Sequence, residues 1–97
     1  MVSQILPAGS VVLLKESTKR VMIMGFAQMQ PDDRSRVYDY CGCLYPEGYQ
    51  DSEKIFLFDH KDIDRVYHVG YMDEEQFRFE EELGKLMNQL EQEKAGH

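Results

Sequence analysis

The feature that most constrains the fold is a spacing. Between Val11 and Tyr71 the apolar runs are short, and each polar interval between them is too short for a crossover helix. Parallel strands need connections of about a dozen residues or more, whereas antiparallel strands close through a few. The chain therefore reads as consecutive antiparallel strands. Val11-Val12-Leu13-Leu14 is a buried strand and Lys15-Glu16-Ser17-Thr18-Lys19-Arg20 the turn that follows it. The return strand spans 21–26 and extends toward Met29. Both its faces are apolar, which suits a sheet covered on both sides or curled into a small barrel. Gly25 inside that strand predicts a bulge. Met22, Met24 and Met29 read as core filling, with an adaptable binding surface as the alternative. Pro31-Asp32-Asp33-Arg34-Ser35 contains no hydrophobe and reads as a loop between two hairpins.

The next strand, 36–45, enters the run Tyr38-Asp39-Tyr40-Cys41-Gly42-Cys43-Leu44-Tyr45-Pro46-Glu47-Gly48-Tyr49, which holds both cysteines and four of the six tyrosines. Cys41 and Cys43 fall on one strand face. With no third cysteine and no histidine at ligand spacing, they read as two reduced thiols. Gly42 leaves a gap where a neighbour can come close. Pro46-Glu47-Gly48 makes a turn with Gly48 suited to positive φ. Tyr45 and Tyr49 flank it, placed to stack across its base. They serve either as covers of a core edge or as an interaction patch. Strands at 54–58 and 66–71 follow, joined by a single helical turn pinned by Ile63.

The last element is a helix beginning at Asp73. Asp73 suits the N-cap, Gln76 completes a capping box, and Met72 and Phe77 are placed for a hydrophobic staple. Phe79, Leu83, Leu86, Met87 and Leu90 form one apolar stripe. The stripe packs on the chain's own sheet or docks on a partner helix. Residues 91–97 are polar and are expected to fray. The fold class is thus α+β and mostly β: a small curved antiparallel sheet, or SH3-like partly open barrel, of about five strands plus one C-terminal helix. Residues 1–72 form the barrel-like part and 73–97 the acidic amphipathic helix of the same domain.

Net charge is −7, and residues 73–97 carry five of those excess negatives. A nucleic-acid binder needs a basic stripe, and none exists here. The same acidity disfavours anionic membranes. The N-terminal residues lack a basic segment followed by a long apolar one, so a cytoplasmic location is expected. Asp59-His60-Lys61-Asp62-Ile63-Asp64 lacks the ligand positions of a calcium loop or a zinc site. No phosphate loop, nucleophile elbow, CxxC or HExxH is present. An enzyme, a cofactor and a metal are not expected. A protein partner is, and a homo-oligomer stays open.

The runs Leu6–Lys15, Arg20–Gly25, Tyr38–Tyr49 and Phe58–Ile63 resemble a family of Gram-positive bacterial proteins, domain-of-unknown-function family 4176. The resemblance spans residues 6–72, with the Tyr-Asp-Tyr and Tyr-Pro-Glu-Gly-Tyr pieces the most specific. It implies a setting beside type VII secretion loci, near toxins with an LXG-type helical N-terminal domain and their small helical partners. The function it implies is a cytoplasmic adaptor or chaperone for effector export. A toxin-neutralising immunity protein and a small ligand-binding barrel are the alternatives. The residues assigned to protein contact are Tyr45, Pro46, Glu47, Gly48 and Tyr49 in the turn, and Phe79, Leu83, Leu86 and Leu90 on the helix.

Overall fold

The structure, a computed structural model, describes residues 5–95, with side chains described through Leu90. Five strands form one antiparallel sheet: β1 (Val11–Leu14), β2 (Val21–Gln30), β3 (Asp33–Leu44), β4 (Ile55–Phe58) and β5 (Ile63–His68). Their spatial order is β4-β3-β2-β1-β5. One α-helix among the described residues, α1 (Glu74–Ala95), follows. The α+β, mainly β architecture is the expected one, and the sheet is open, with β4 and β5 as its edges.

The sheet is nevertheless strongly curled. β4 and β5 lie at opposite edges, four inter-strand steps apart, which is about 19 Å in a flat sheet. They are joined by Asp59 and a 3-10 turn, His60–Asp62. A 3-10 turn advances only about 2 Å per residue, so the edges must bend toward each other. The linker also touches both halves of the sheet. His60 N–H donates to Asp39 Oδ2 on β3 at 3.0 Å, and Lys15 N–H, just beyond β1, donates to the Asp62 carbonyl at 2.8 Å. Asp59 N–H donates to Asp62 Oδ2 at 2.9 Å, which closes the turn on itself.

Curvature has a second source in β2. Ile23 pairs with Gly42 and Gly25 with Cys41, so Met24 is an extra residue. This is the bulge that Gly25 foreshadowed. The β2–β3 connection is tighter than expected. Gln30 pairs with Asp33, so Pro31 and Asp32 alone make the turn, and Asp33, Arg34 and Ser35 belong to β3. Ser35 N–H bonds to Asp33 Oδ1 at 3.0 Å, supplying locally what a hydrophobe-free strand start lacks in packing. The last strand begins three residues before the expected 66, at Ile63, and ends at His68.

The core lies between the sheet and α1. Val12, Val21, Ile23, Tyr40 and Phe58 meet Ile5 from the N-terminal segment and Leu83 and Met87 from the helix. Tyr40 and Ile23 are fully buried. The N-terminal segment is tied to the end of β5 by Gly70 N–H donating to the buried Ser10 Oγ at 3.0 Å. Ala8's carbonyl oxygen occupies the space that a Cβ at Gly70 would need. That contact is why a glycine ends this stretch.

The helix start follows the expected cap in part. Asp73 Oδ1 accepts from Gln76 N–H at 3.1 Å, but the Gln76 side chain turns to Glu80 Oε1 instead of returning to the cap. Met72 and Phe77 are both largely exposed, so no buried staple forms. The helix continues to Ala95, beyond the expected fraying point at 91. Glu and Gln at 91–93 are good helix formers even without an apolar face. Gly96 and His97 lie outside the described residues.

Candidate functional site

Side chains alternate across each strand, so the neighbours of the core residues face away from the helix. Cys41 and Cys43 on β3 stand opposite Leu57 and Ile55 on β4. Met24, Met29, Cys41, Ile55 and Leu57 line a groove of about 590 Å³, with Gln28 among its polar groups. Met24 and Met29 are over a third exposed. Met24 and Met29 therefore do not fill the core, contrary to the sequence expectation, and Met22 is half-buried. The bulge places Met24 outside the regular alternation, and Met29 lies at a second irregularity, between Gln28 and Gln30. Unbranched thioether side chains on an open wall make an adaptable apolar surface. Cys41 lies beneath it, and burial pushes its thiol up from the ordinary range. Burial thus disfavours the thiolate, the form that reacts.

The turn after β3 is fastened at its base. Gly48 N–H donates to the Leu44 carbonyl at 2.8 Å, and Gly48 adopts φ of +80°, the conformation anticipated for it. The Tyr45–Pro46 bond is cis. Glu47 pairs with Lys19 at 2.8 Å, and the Lys19 hydrogen bond holds the Glu47 carboxyl below its usual range. Tyr45 meets Arg20, not Tyr49 as a stacking partner. The Arg20 guanidinium sits 5.3 Å from the Tyr45 ring and 5.3 Å from the Tyr67 ring. Tyr49 is 60% exposed. Neither tyrosine of the turn joins the core cluster.

The four helix residues divide. Leu83 is buried on the protein's own sheet and Leu90 packs partly against the same core. Phe79 and Leu86 are more than 40% exposed, with Phe79 touching Phe26 at 5.4 Å between ring centroids. The stripe read as one face is thus two. Gln76, Glu80, Leu83, Met87 and Leu90 turn inward, and Phe79 and Leu86 flank them.

The Asp59–Asp64 segment is structural. Tyr40 Oη accepts from Leu6 N–H at 3.1 Å and is hydrogen-bonded to His60 Nδ1 at 2.7 Å. Asp59 receives Asp39 N–H at 3.0 Å and Arg36 Nη2 at 2.6 Å. The Arg36 pKa is raised, first by that hydrogen bond. Asp59 and Asp39 thus fix the turn to β3, and Asp62 closes the turn on itself. Among the described residues, no group of three or more His, Cys, Asp or Glu is placed to hold a metal ion. Nor is any described helix long and apolar enough to cross a membrane.

Sequence reasoning held the methionine wall of the groove only as its alternative, and it passed over a second signal, the Ile55/Leu57 alternation opposite Cys41/Cys43. Arg20 and Tyr67 lie far apart in sequence and gave none. No curated protein and no solved structure matches the chain. The sequence pattern of one family does match, over residues 5–79, which takes in the whole sheet, the turn and the start of α1. The chain belongs to the family described as domain of unknown function DUF4176.

Proposed function

We propose that this protein is a non-enzymatic, protein-binding accessory factor, a cytoplasmic adaptor or chaperone that holds the helical N-terminal domain of a type VII secretion effector. The observation that carries the reading is the methionine-lined groove on the sheet face that α1 leaves uncovered. An amphipathic helix buries its apolar face in such a groove, and methionine walls adapt to helices of different sequence. The secretion setting comes from the resemblance set out above. Asp39, Asp59 and Asp62 are engaged in holding the turn and both thiols are buried, which fits a binding role.

Co-expression with an LXG-type N-terminal domain, followed by size exclusion, tests the reading. The two chains co-elute, and Met29→Asp separates them while the fold is kept. Separate elution of two folded proteins at micromolar concentration overturns it. A second reading, neutralisation of a basic toxin domain, is favoured by the net charge of −7. Protection of cells against the toxin's C-terminal domain alone would select it.

A further inference from the structure

The two edges of the sheet are built differently. β5 carries the devices that discourage edge pairing. Val11 pairs with His68 and Val12 with Val66, while Leu13 pairs with Arg65 and Leu14 with Ile63. Tyr67 and Asp64 are therefore extra residues, two irregularities in six. The strand also exposes the charges of Asp64 and Arg65. Bulges and charges are how natural sheets blunt an edge.

β4 has none of these. Its register against β3 is unbroken from Tyr40↔Phe58 to Cys43↔Ile55. Its four residues, Ile55-Phe56-Leu57-Phe58, include no charge and no proline. Among the described residues, no backbone hydrogen bond outside the ladders engages it. Phe56 is 39% exposed, opposite Gly42, which has no side chain to cover it.

We propose that β4 is the seam of a two-fold homodimer, its edge pairing antiparallel with β4 of a second copy and Phe56 facing Phe56. The sequence selects this occupant and this register. A two-fold axis sets residues equidistant from the centre opposite one another. About Phe56, Ile55 meets Leu57, so the three central pairs are all apolar, the combination that stabilises cross-strand contact. Lys54 falls opposite Phe58, whose ring is buried in the core, and keeps its charge in water. Centring on Leu57 instead sets Ile55 against Asp59, whose carboxylate is already committed to Arg36 and to Asp39 N–H. The segment thus reads alike in both directions only about Phe56. Because Ile55 and Leu57 also line the groove, the seam joins two grooves into one trough across the dimer.

Self-association through β4 needs no other protein and is measured on this chain alone. Light scattering coupled to size exclusion, across a series reaching millimolar protein, gives a concentration-dependent dimer. Phe56→Lys weakens self-association by about tenfold or more, as loss of a central anchor does. Phe56→Cys forms a disulfide-linked dimer under mild oxidation, whereas Val66→Cys on the blunted edge does not. Should Phe56→Lys fail to fold, the cross-link decides. A wild-type chain that stays monomeric at millimolar concentration overturns the proposal. So does a dimer that persists in folded Phe56→Lys, or one that cross-links through Val66→Cys instead.

Discussion

The two faces of the sheet are made by adjacent residues of the same strands, yet they differ in kind. On one face stand Ile23, Tyr40 and Phe58, closed over by Leu83 and Met87 of the helix. On the other stand Met24, Cys41 and Leu57, open as a groove. The closed face uses branched and aromatic groups whose few rotamers pack to one arrangement. The open face uses methionine, whose three rotatable bonds leave several arrangements near in energy. One helix can cover one face of a small sheet, and the residue choice on each face matches that division.

The largest effect that separates the faces is truncation. Ile23→Ala removes a fully buried group and is expected to cost about 2–5 kcal/mol in urea unfolding. Met29→Ala, at a site 38% exposed, costs under about 1 kcal/mol. Equal losses would break the comparison, because the groove would then be core.

Next in size is the polar link that Tyr40 makes inside the closed face. Tyr40→Phe leaves Leu6 N–H and His60 Nδ1 without their partner and costs about 1–3 kcal/mol. It also carries a pH signature. Burial pushes the Tyr40 hydroxyl up to about 12. The folded value is raised, so its contribution is fully present below the ordinary tyrosine value near 10 and is lost as pH rises through about 12. Urea midpoints measured across that interval fall steeply in the wild type and less in Tyr40→Phe. Parallel curves would mean another group governs the alkaline limb.

These contrasts explain what could be read in advance. Strand existence was legible because polar turns punctuate short apolar runs, and the helix start because Asp73 and Gln76 announce it. The face assignment of β2 was not. Its run 21–26 is apolar throughout, so period gives no inside and outside, and only the bulge at Met24 decides which methionine is exposed. Boundaries failed where charge misled. Asp33, Arg34 and Ser35 look like loop residues, but a long hairpin can extend past its core with both faces wet. The turn residues 45–49 were legible as a turn. Their surroundings were not, because Arg20 comes to Tyr45 through the pairing of β2 with β3, and Tyr67 to Arg20 through the pairing of β1 with β2 and β5.

A smaller effect tests how the open face is floored. A Cβ added at Gly25 would stand 2.9 Å from Cys41 Sγ, closer than such atoms approach. Gly25→Ala therefore costs about 1 kcal/mol by overpacking. Cys41→Ala should relieve part of it, giving a coupling of about 0.5 kcal/mol or more in a double-mutant cycle. Strict additivity would show that backbone conformation, not the thiol, selects glycine there.

The smallest effect lies at the rim, where Arg20 sits between Tyr45 and Tyr67. Exposed cation–π contacts contribute roughly 0.5–1 kcal/mol, so Arg20→Met should lower stability by no more than about that. Methionine keeps an unbranched stem and removes the charge, which isolates the electrostatic part. The same substitution in Tyr45→Leu, Tyr67→Leu should then do almost nothing, since no ring remains for the cation. If it still destabilises by the full amount, the rings are not its partners, and the Arg20 backbone carbonyl that accepts Tyr45 N–H at 3.0 Å is what the side chain protects. The distinction matters for the turn. An Arg20 held by rings fixes Tyr45 on the surface as a preformed contact, whereas an Arg20 shielding the backbone leaves Tyr45 free to move.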